Sequence, residues 1–397
     1  MFAGAPTCLS MKPAVAYPRA LFVSALLAWL LPKAARGEGA VSYKYQHYEE
    51  SAGRVAVKTH GAHVEQDLGL LSKLKFDGLI DAIAGATPNG QPAPAGSDQV
   101  PLTQMHDRRK AWNASLSRQF DRVLLEAGVG NSRESDYVSN GWSVNSVSDF
   151  NQKNTRLLAG VAGTDDRIKV FYSSLAPRQR KRTNDLIVGV TQLLDPNTSV
   201  TANLTWGVQR GYLADQYKLV QKDIEVGPGL FLPMTVGESR PMRREKTILL
   251  ASVNRAVPQL HGAAEASYRF YHDTFGVDAH TIEAAWFQKL GSRLILRPSL
   301  RFYQQSAARF YYYDLNATAI QPYIGAPRAA GPFYSSDYRL SALRSWTYGM
   351  KLIWNLTEHV QLDAALEQYD MHGRDGVTSR SAYPKARIAT VGARFAW

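Results

Sequence analysis

From Ala111 to the C-terminus, apolar and polar side chains alternate in stretches of about ten residues, the period-two signal of strands with two unlike faces. Val200, Ala202, Leu204, Trp206 and Val208 interleave with Thr201, Asn203, Thr205, Gly207 and Gln209. Leu294, Leu296, Pro298, Leu300 and Phe302 alternate with Arg293, Ile295, Arg297, Ser299 and Arg301. The run Trp346, Tyr348, Met350, Leu352, Trp354 repeats the pattern, as does Val360, Leu362, Ala364, Leu366. The last strand sets Ala389, Val391, Ala393, Phe395 and Trp397 on one face and ends the chain on an aromatic.

A soluble sandwich alternates too, so the links decide between the two. Counting back from the C-terminus, 370–384, 305–340, 211–245 and 163–183 are long, whereas 355–359, 290–292, 257–261 and 195–198 are short. Sorting by side is what a transmembrane antiparallel β-barrel requires, with short periplasmic turns and long external loops. Further strands are expected near 153–162, 137–148, 122–130, 110–119, 70–82, 54–67 and 41–48, with an external loop over Thr87 to Pro101. Both termini on the periplasmic side require an even count. The pattern predicts an all-β barrel of 16 strands, with 14 as the alternative.

The first 37 residues read as an export signal. Lys12 and Arg19 precede an apolar run from Ala20 to Leu31, and Ala35-Arg36-Gly37 offers a small-x-small cleavage site, with Met11 a second possible start. One barrel domain over 38–397 is then expected. The only cysteine, Cys8, goes with the signal, which excludes disulfides and thiolate metal sites from the exported chain. Removing four basic and no acidic residues takes the net charge from +12 to +8. No nucleic-acid module is present, so the basic excess points to the anionic lipopolysaccharide of the outer leaflet or to an anionic solute. The bacterial outer membrane is the expected location. Aromatics at strand ends, Tyr43, Tyr45, Tyr48, Trp346, Trp354, Phe395 and Trp397, fit interfacial girdles. Phe395 and Trp397 are also the expected C-terminal signal to the barrel-assembly machinery.

The segments Gly211 to Lys218 (GYLADQYK), Ser239 to Arg243 (SRPMR), Tyr268 to Glu283, Arg301 to Tyr311 and Ser335 to Ser341 (SSDYRLS) resemble a family of exported bacterial proteins known only as domain of unknown function 3570. Ala84 to Pro88 (AGATP), Glu134 to Ser139 (ESDYVS) and Lys153 to Thr155 are similar to it as well. Ala84 and Arg309 depart from the serine and the acid expected there. The resemblance implies an outer-membrane barrel and brings no catalytic residues with it.

Charged residues of inward parity are the candidates for function. A 262–289 hairpin turning about Gly276 places Arg269 opposite Glu283, and a turn near Gly291 sets Glu283 diagonal to Arg297 and Arg301. Lys351 is expected to face Asp363. Such a wall attracts anions or fixes register. Two clusters are expected in external loops: Arg178, Arg180, Lys181 and Arg182, and Arg240, Arg243, Arg244 and Lys246. Guanidinium groups in such loops suit lipopolysaccharide phosphates. The ring-rich 305–340 loop is expected to narrow the barrel or recognise a ligand.

Catalysis finds little support. There is no HExxH and no G-x-S-x-G, His60 and His63 fall on opposite strand faces, and His272, His280, Asp273, Asp278 and Ser267 are the best remaining constellation. No enzyme activity, metal or cofactor is expected. The leading expectation is a porin-like channel or transporter for a small, unidentified solute. The alternatives are a surface-interaction barrel without an open pore and a barrel enzyme acting on lipid.

Overall fold

The computed structural model describes residues 37–170, 178–323, 325 and 327–397. The expected export signal, apart from Gly37, lies outside these residues. The strands are β1 (Gly39–Glu50), β2 (Ala56–Leu68), β3 (Ser72–Pro88), β4 (Leu102–Phe120), β5 (Val123–Arg133), β6 (Tyr137–Phe150), β7 (Thr155–Lys169), β8 (Arg178–Asp195) and β9 (Thr198–Gly211). They continue as β10 (Leu219–Gly227), β11 (Leu230–Gly237), β12 (Arg243–Val257), β13 (Gly262–Asp273), β14 (Asp278–Leu290), β15 (Leu294–Gln305), β16 (Leu343–Asn355), β17 (Val360–Gly373) and β18 (Lys385–Ala396).

Sixteen of them form one closed antiparallel barrel, as the alternation predicts; β10 and β11 make a separate hairpin in the β9–β12 loop. Closure comes from β1 against β18, in register from Ala40 opposite Ala396 to Glu50 opposite Ala386. The expected periplasmic links are tight: β4 and β5 join through Asp121 and Arg122, with Asp121 at φ 44, and β2 and β3 through 69–71, with Gly69 at φ +73.

The external side differs from the expected long loops in two ways. Two external links, 51–55 and 134–136, are as short as periplasmic turns, as is 274–277, which the sequence already gives as a short link over 273–278. The expected 163–183 loop is strand over 163–169 and 178–183, because β7 and β8 pair on to Lys169 opposite Arg178, and 171–177 lie outside the described residues. That stretch carries charge on its outward face, so its alternation resembles a solvated loop.

The faces sort as the period requires. Leu300, Leu352, Trp354, Val391 and Phe395 are exposed on the outside, at 41 to 52% of their surface, where lipid contacts them in a bilayer. Tyr48 departs from the girdle: its parity is opposite to Tyr43 and Tyr45, and its hydroxyl turns to Glu50 at 2.9 Å. The fully buried apolar residues lie largely at the external end instead of inside the wall. Phe275, Leu315, Tyr334 and Leu340 are buried in the loops, as is Tyr338; the cluster of Phe275 and Leu340 rests on partly buried Tyr271, and that of Tyr338 on Tyr303 and Met371, near the strand ends. The protein's apolar core is therefore a cap seated at the mouth. At about 1.5–3 kcal/mol per buried large side chain, this packing holds the long loops in place.

Candidate functional site

Two features stand out, a charged lumenal wall and the cap above it. In the wall, β14 lies against β15 with Glu283 directly opposite Arg301, and Arg301 Nε donates to Glu283 Oε1 at 2.8 Å. Arg269 faces Thr281, not Glu283, whose partner on β13 is Ser267. The register is two residues away from the expected one because the turn is centred on Phe275. Asp273 sets that turn: its carboxylate accepts from the Phe275 and Val277 amides at 2.8 and 3.2 Å. Lys351 lies opposite Ala365, and Asp363 opposite Ile353. The two charges still meet, diagonally, at 3.2 Å.

Arg297 reaches past β14 to Glu265 on β13 at 3.6 Å. One cavity is lined by Glu265, Ser267, Glu283, Arg297, Arg301 and Glu367. A second shares Arg297, Ser299 and Glu367 with it and adds Lys44, Lys351, Asp363 and Thr390. Residues from β13 round to β1 thus line two adjoining cavities, with the charged side chains on the face opposite the exposed apolar residues. Glu265, Glu367 and Lys44 were missed from the sequence, although period two gives them the same parity as Glu283, Asp363 and Gln46. With them, carboxylates nearly balance cations along the wall. Pairs elsewhere repeat the scheme: Lys75 with Glu126 at 2.7 Å, Arg394 with Glu65 at 2.8 Å, and Lys246 with Asp185 at 3.0 Å, each bridging over an intervening strand.

The cap is built round a buried ionic node. Arg240 Nε sits 2.6 Å from Glu238 Oε1, and its Nη2 sits 2.8 Å from Asp337 Oδ2. Arg339 holds Asp337 at 2.7 Å and also pairs with Asp215. Ser335 Oγ donates to Glu238 at 2.5 Å, and buried Lys218 donates to Thr87 Oγ1 at 3.3 Å and to the Pro88 carbonyl. The end of β3, the β9–β12 loop and the β15–β16 loop are thereby tied across the mouth. Further ties reach the rest of the rim. Tyr217 donates to Asp136 at 2.6 Å, the Ala93 amide to Tyr313 at 2.9 Å, and Arg54 to the Ser381 carbonyl at 2.8 Å. The 305–340 loop, expected to narrow the barrel or recognise a ligand, is thus a main component of the cap.

Burial shifts the node's ionisation. Burial raises the Glu238 carboxyl, Arg240 only partly offsets this, and the like charges of Asp337 and Asp215 add to the rise, giving about 7. At Asp337 burial also acts upward, but Arg339 and Arg240 outweigh it and hold the group well below the usual carboxylate range. Burial lowers the Lys218 ammonium.

The expected external basic loops are mostly strand residues. Arg178, Arg180 and Arg182 share the outward face of β8 with Leu186 and Val188, whereas Lys181 turns inward to Asp166 at 3.0 Å. Arg243 is exposed at the start of β12, Arg244 is drawn inward to Asp273 at 2.5 Å, and Arg240 is buried in the cap. Lys246 is a lumenal residue, paired as above. Clusters that look continuous in sequence are split by period two into two faces.

The histidine constellation does not converge. His272 pairs with Asp278 at 2.7 Å and His280 with the Tyr268 hydroxyl at 2.8 Å on the outer face, while Ser267 and Asp273 are on the inner one. Asp107, Glu134 and Asp136 bring carboxylates within 4.8 Å of one another at the rim. Phe395 is exposed on the outer face, and the Trp397 amide donates to the Gly39 carbonyl at 2.9 Å.

The family model described as protein of unknown function (DUF3570) matches residues 15–385, nearly the whole chain. The chain belongs to this family. Seven of the eight segments that carry the resemblance end in or beside the cap; Lys153 to Thr155, at a periplasmic turn, is the exception. AGATP supplies Thr87, ESDYVS Asp136, GYLADQYK Asp215 and Lys218, SRPMR Arg240, and SSDYRLS Asp337 and Arg339. No curated protein matches the chain. Among solved structures it is similar to the outer-membrane expressed OmpT of Vibrio cholerae, at 9% identity and a TM-score of 0.46, covering 92% of this chain and 99% of that one. It is similar to the outer membrane protein opdK of Pseudomonas aeruginosa, at 9% identity and a TM-score of 0.40, covering 91% and 99%. For the siderophore receptor PirA of Pseudomonas aeruginosa the identity is 10% and the TM-score 0.43; 90% of this chain spans 60% of the receptor's length.

Proposed function

We propose that this protein is a capped outer-membrane channel, passing small polar solutes through a wet lumen whose external mouth is restrained by its loops. Strand number supports the reading: barrels of sixteen to eighteen strands are too wide for side chains alone to fill and leave an aqueous channel. The observation that carries it is the pair of adjoining cavities along the ion-paired wall of β13 to β1, polar space below the cap. Anion preference, which Arg269, Arg297 and Arg301 against Glu283 alone would favour, is not part of the reading, because Glu265 and Glu367 share that wall. Neutral or zwitterionic solutes fit a balanced lining better.

A second reading is a barrel with no open pore that presents its cap to a surface partner. The cap's packing favours it. Planar-bilayer recordings of the purified protein and of Asp337→Asn separate the two. The channel reading expects small, weakly selective currents from the wild type and larger or more frequent ones from the variant. No current from either, after verified insertion, leaves the second reading.

A further inference from the structure

Charge is segregated on the external ends of β7, β8, β9 and β12 in a way that neither lumen nor cap explains. On their outward face Arg167 lies directly opposite Arg180, and Arg182, Arg210 and Arg243 lie opposite one another in a single row across three strands. Like charges directly opposed on neighbouring strands repel. Against these five cations the same face offers Asp165, 3.0 Å from Arg182, and Glu245, 2.5 Å from Arg243. On the lumenal face of the same strands, by contrast, each cation is matched by an acid, as in Lys181 with Asp166 and Lys246 with Asp185. Across the barrel the outward face is also mixed: Glu49 lies opposite Arg387, and Asp370 opposite Lys385. A second, smaller cationic group, Lys110 opposite Arg133 with Arg108 beside it, lies on the outward face of β4 and β5; the row of three arginines on adjacent strands belongs to β8, β9 and β12.

Its height is informative. Arg182 stands four positions beyond lipid-facing Leu186, and Arg210 four beyond exposed Trp206. Four positions at about 3.3 Å each, on a strand tilted by about 40°, raise the guanidinium groups roughly 10 Å above that apolar edge, into the headgroup layer. Long Arg side chains reach along such a boundary while keeping their heads polar. Guanidinium pairs bidentately with phosphate, and a row of three on adjacent strands suits a headgroup with more than one phosphate.

We infer that this outward face of β7, β8, β9 and β12 is a docking surface for the phosphorylated glycolipid of the outer leaflet, the diphosphoryl lipid A of lipopolysaccharide. The phosphates neutralise the opposed arginines, and the acyl chains lie along Leu186, Val188 and Leu204 beneath. The contact fixes the barrel's depth and orientation among its lipids, and it is independent of what the lumen carries.

Native mass spectrometry of the full-length protein in detergent, titrated with diphosphoryl lipid A, tests the inference. Arg180→Gln/Arg182→Gln/Arg210→Gln is expected to weaken binding at least tenfold, whereas Lys385→Gln/Arg387→Gln on the far side changes it less than twofold. Monophosphoryl lipid A is expected to bind the wild type several-fold more weakly. Heat-modifiability on gels reports folding; should the triple variant not assemble, Arg180→Lys/Arg182→Lys/Arg210→Lys, with charge kept and the fork lost, is expected to bind severalfold more weakly. Wild-type affinity in an assembled variant of these arginines, equal losses on the two sides of the barrel, or displacement of lipid A by an equal concentration of phosphatidylglycerol would each overturn it.

Discussion

Replacing Asp337 by Asn removes the acid that joins the two arginines of the cap. The carboxylate is almost wholly buried and accepts from Arg240 Nη2 at 2.8 Å, from Arg339 Nε at 2.9 Å and Nη2 at 2.7 Å, and from the Arg339 amide at 3.1 Å. Breaking a buried pair by removing one partner costs about 3–5 kcal/mol. The Arg339 side chain is half exposed, so solvent screens that arm, and the lower end of the range, about 3 kcal/mol, is appropriate. At about 1.4 kcal/mol per tenfold, the open-cap population rises by roughly two powers of ten. Hydrogen exchange reads this residue by residue. The Ala308, Tyr334 and Ser335 amides, bonded to Leu340, Ser239 and Phe310 across the cap, are expected to exchange roughly a hundredfold faster under these energetics. The amides of β16 keep their protection. Cap exchange within threefold of wild type, or an equal rise in β16, refutes the reasoning.

Three further outcomes follow from the same geometry. Glu238 holds a proton in the closed cap up to about pH 7, whereas its ordinary value is 4.5, so closure loses stability as pH rises between these values; cap amides should be less protected, relative to their intrinsic exchange rates, at pH 8 than at pH 5, and Glu238→Gln should flatten that dependence of protection. Asp337 works oppositely and only in strong acid, where its protonation removes the stabilisation it gives. Glu283→Gln frees Arg301 from a half-exposed pair, so stability measured by urea unfolding should change by less than about 1 kcal/mol while reversal potentials shift toward anions; an unchanged reversal potential counts against a lumenal Arg301. Leu300→Arg puts charge on the lipid face and should cost about 2–4 kcal/mol in urea unfolding in vesicles, and a neutral result would contradict the assigned facing.

Face and strand number were legible in the sequence because they depend on parity alone. Leu296 against Arg297, or Leu352 against Lys351, needs no knowledge of distant residues. Register was legible only to within a turn. Moving the centre of the 274–277 link from Gly276 to Phe275 exchanged Arg269 for Ser267 opposite Glu283, a shift set by the bonds of the Asp273 carboxylate to the Phe275 and Val277 amides. Arg178, Arg180 and Arg182 looked like loop because a strand that outruns the bilayer carries charge on its outer face and loses the apolar half of its alternation. The cap was the least legible part. Its node joins Thr87, Lys218, Arg240 and Asp337, residues far apart in the chain, and no local period reports such a meeting. The motifs that identify the family point to the right segments, and only the fold brings them together.

The most direct test of the account uses the absence of cysteine after Cys8. Single cysteines at successive positions 297–302 of β15, in intact outer membranes, are treated with a small membrane-impermeant maleimide and, separately, spin-labelled and exposed to a lipid-soluble relaxing agent. The account predicts water-side labelling at 297, 299 and 301 and lipid-side relaxation at 298, 300 and 302. Labelling without a period of two, or with the two sets exchanged, would contradict it.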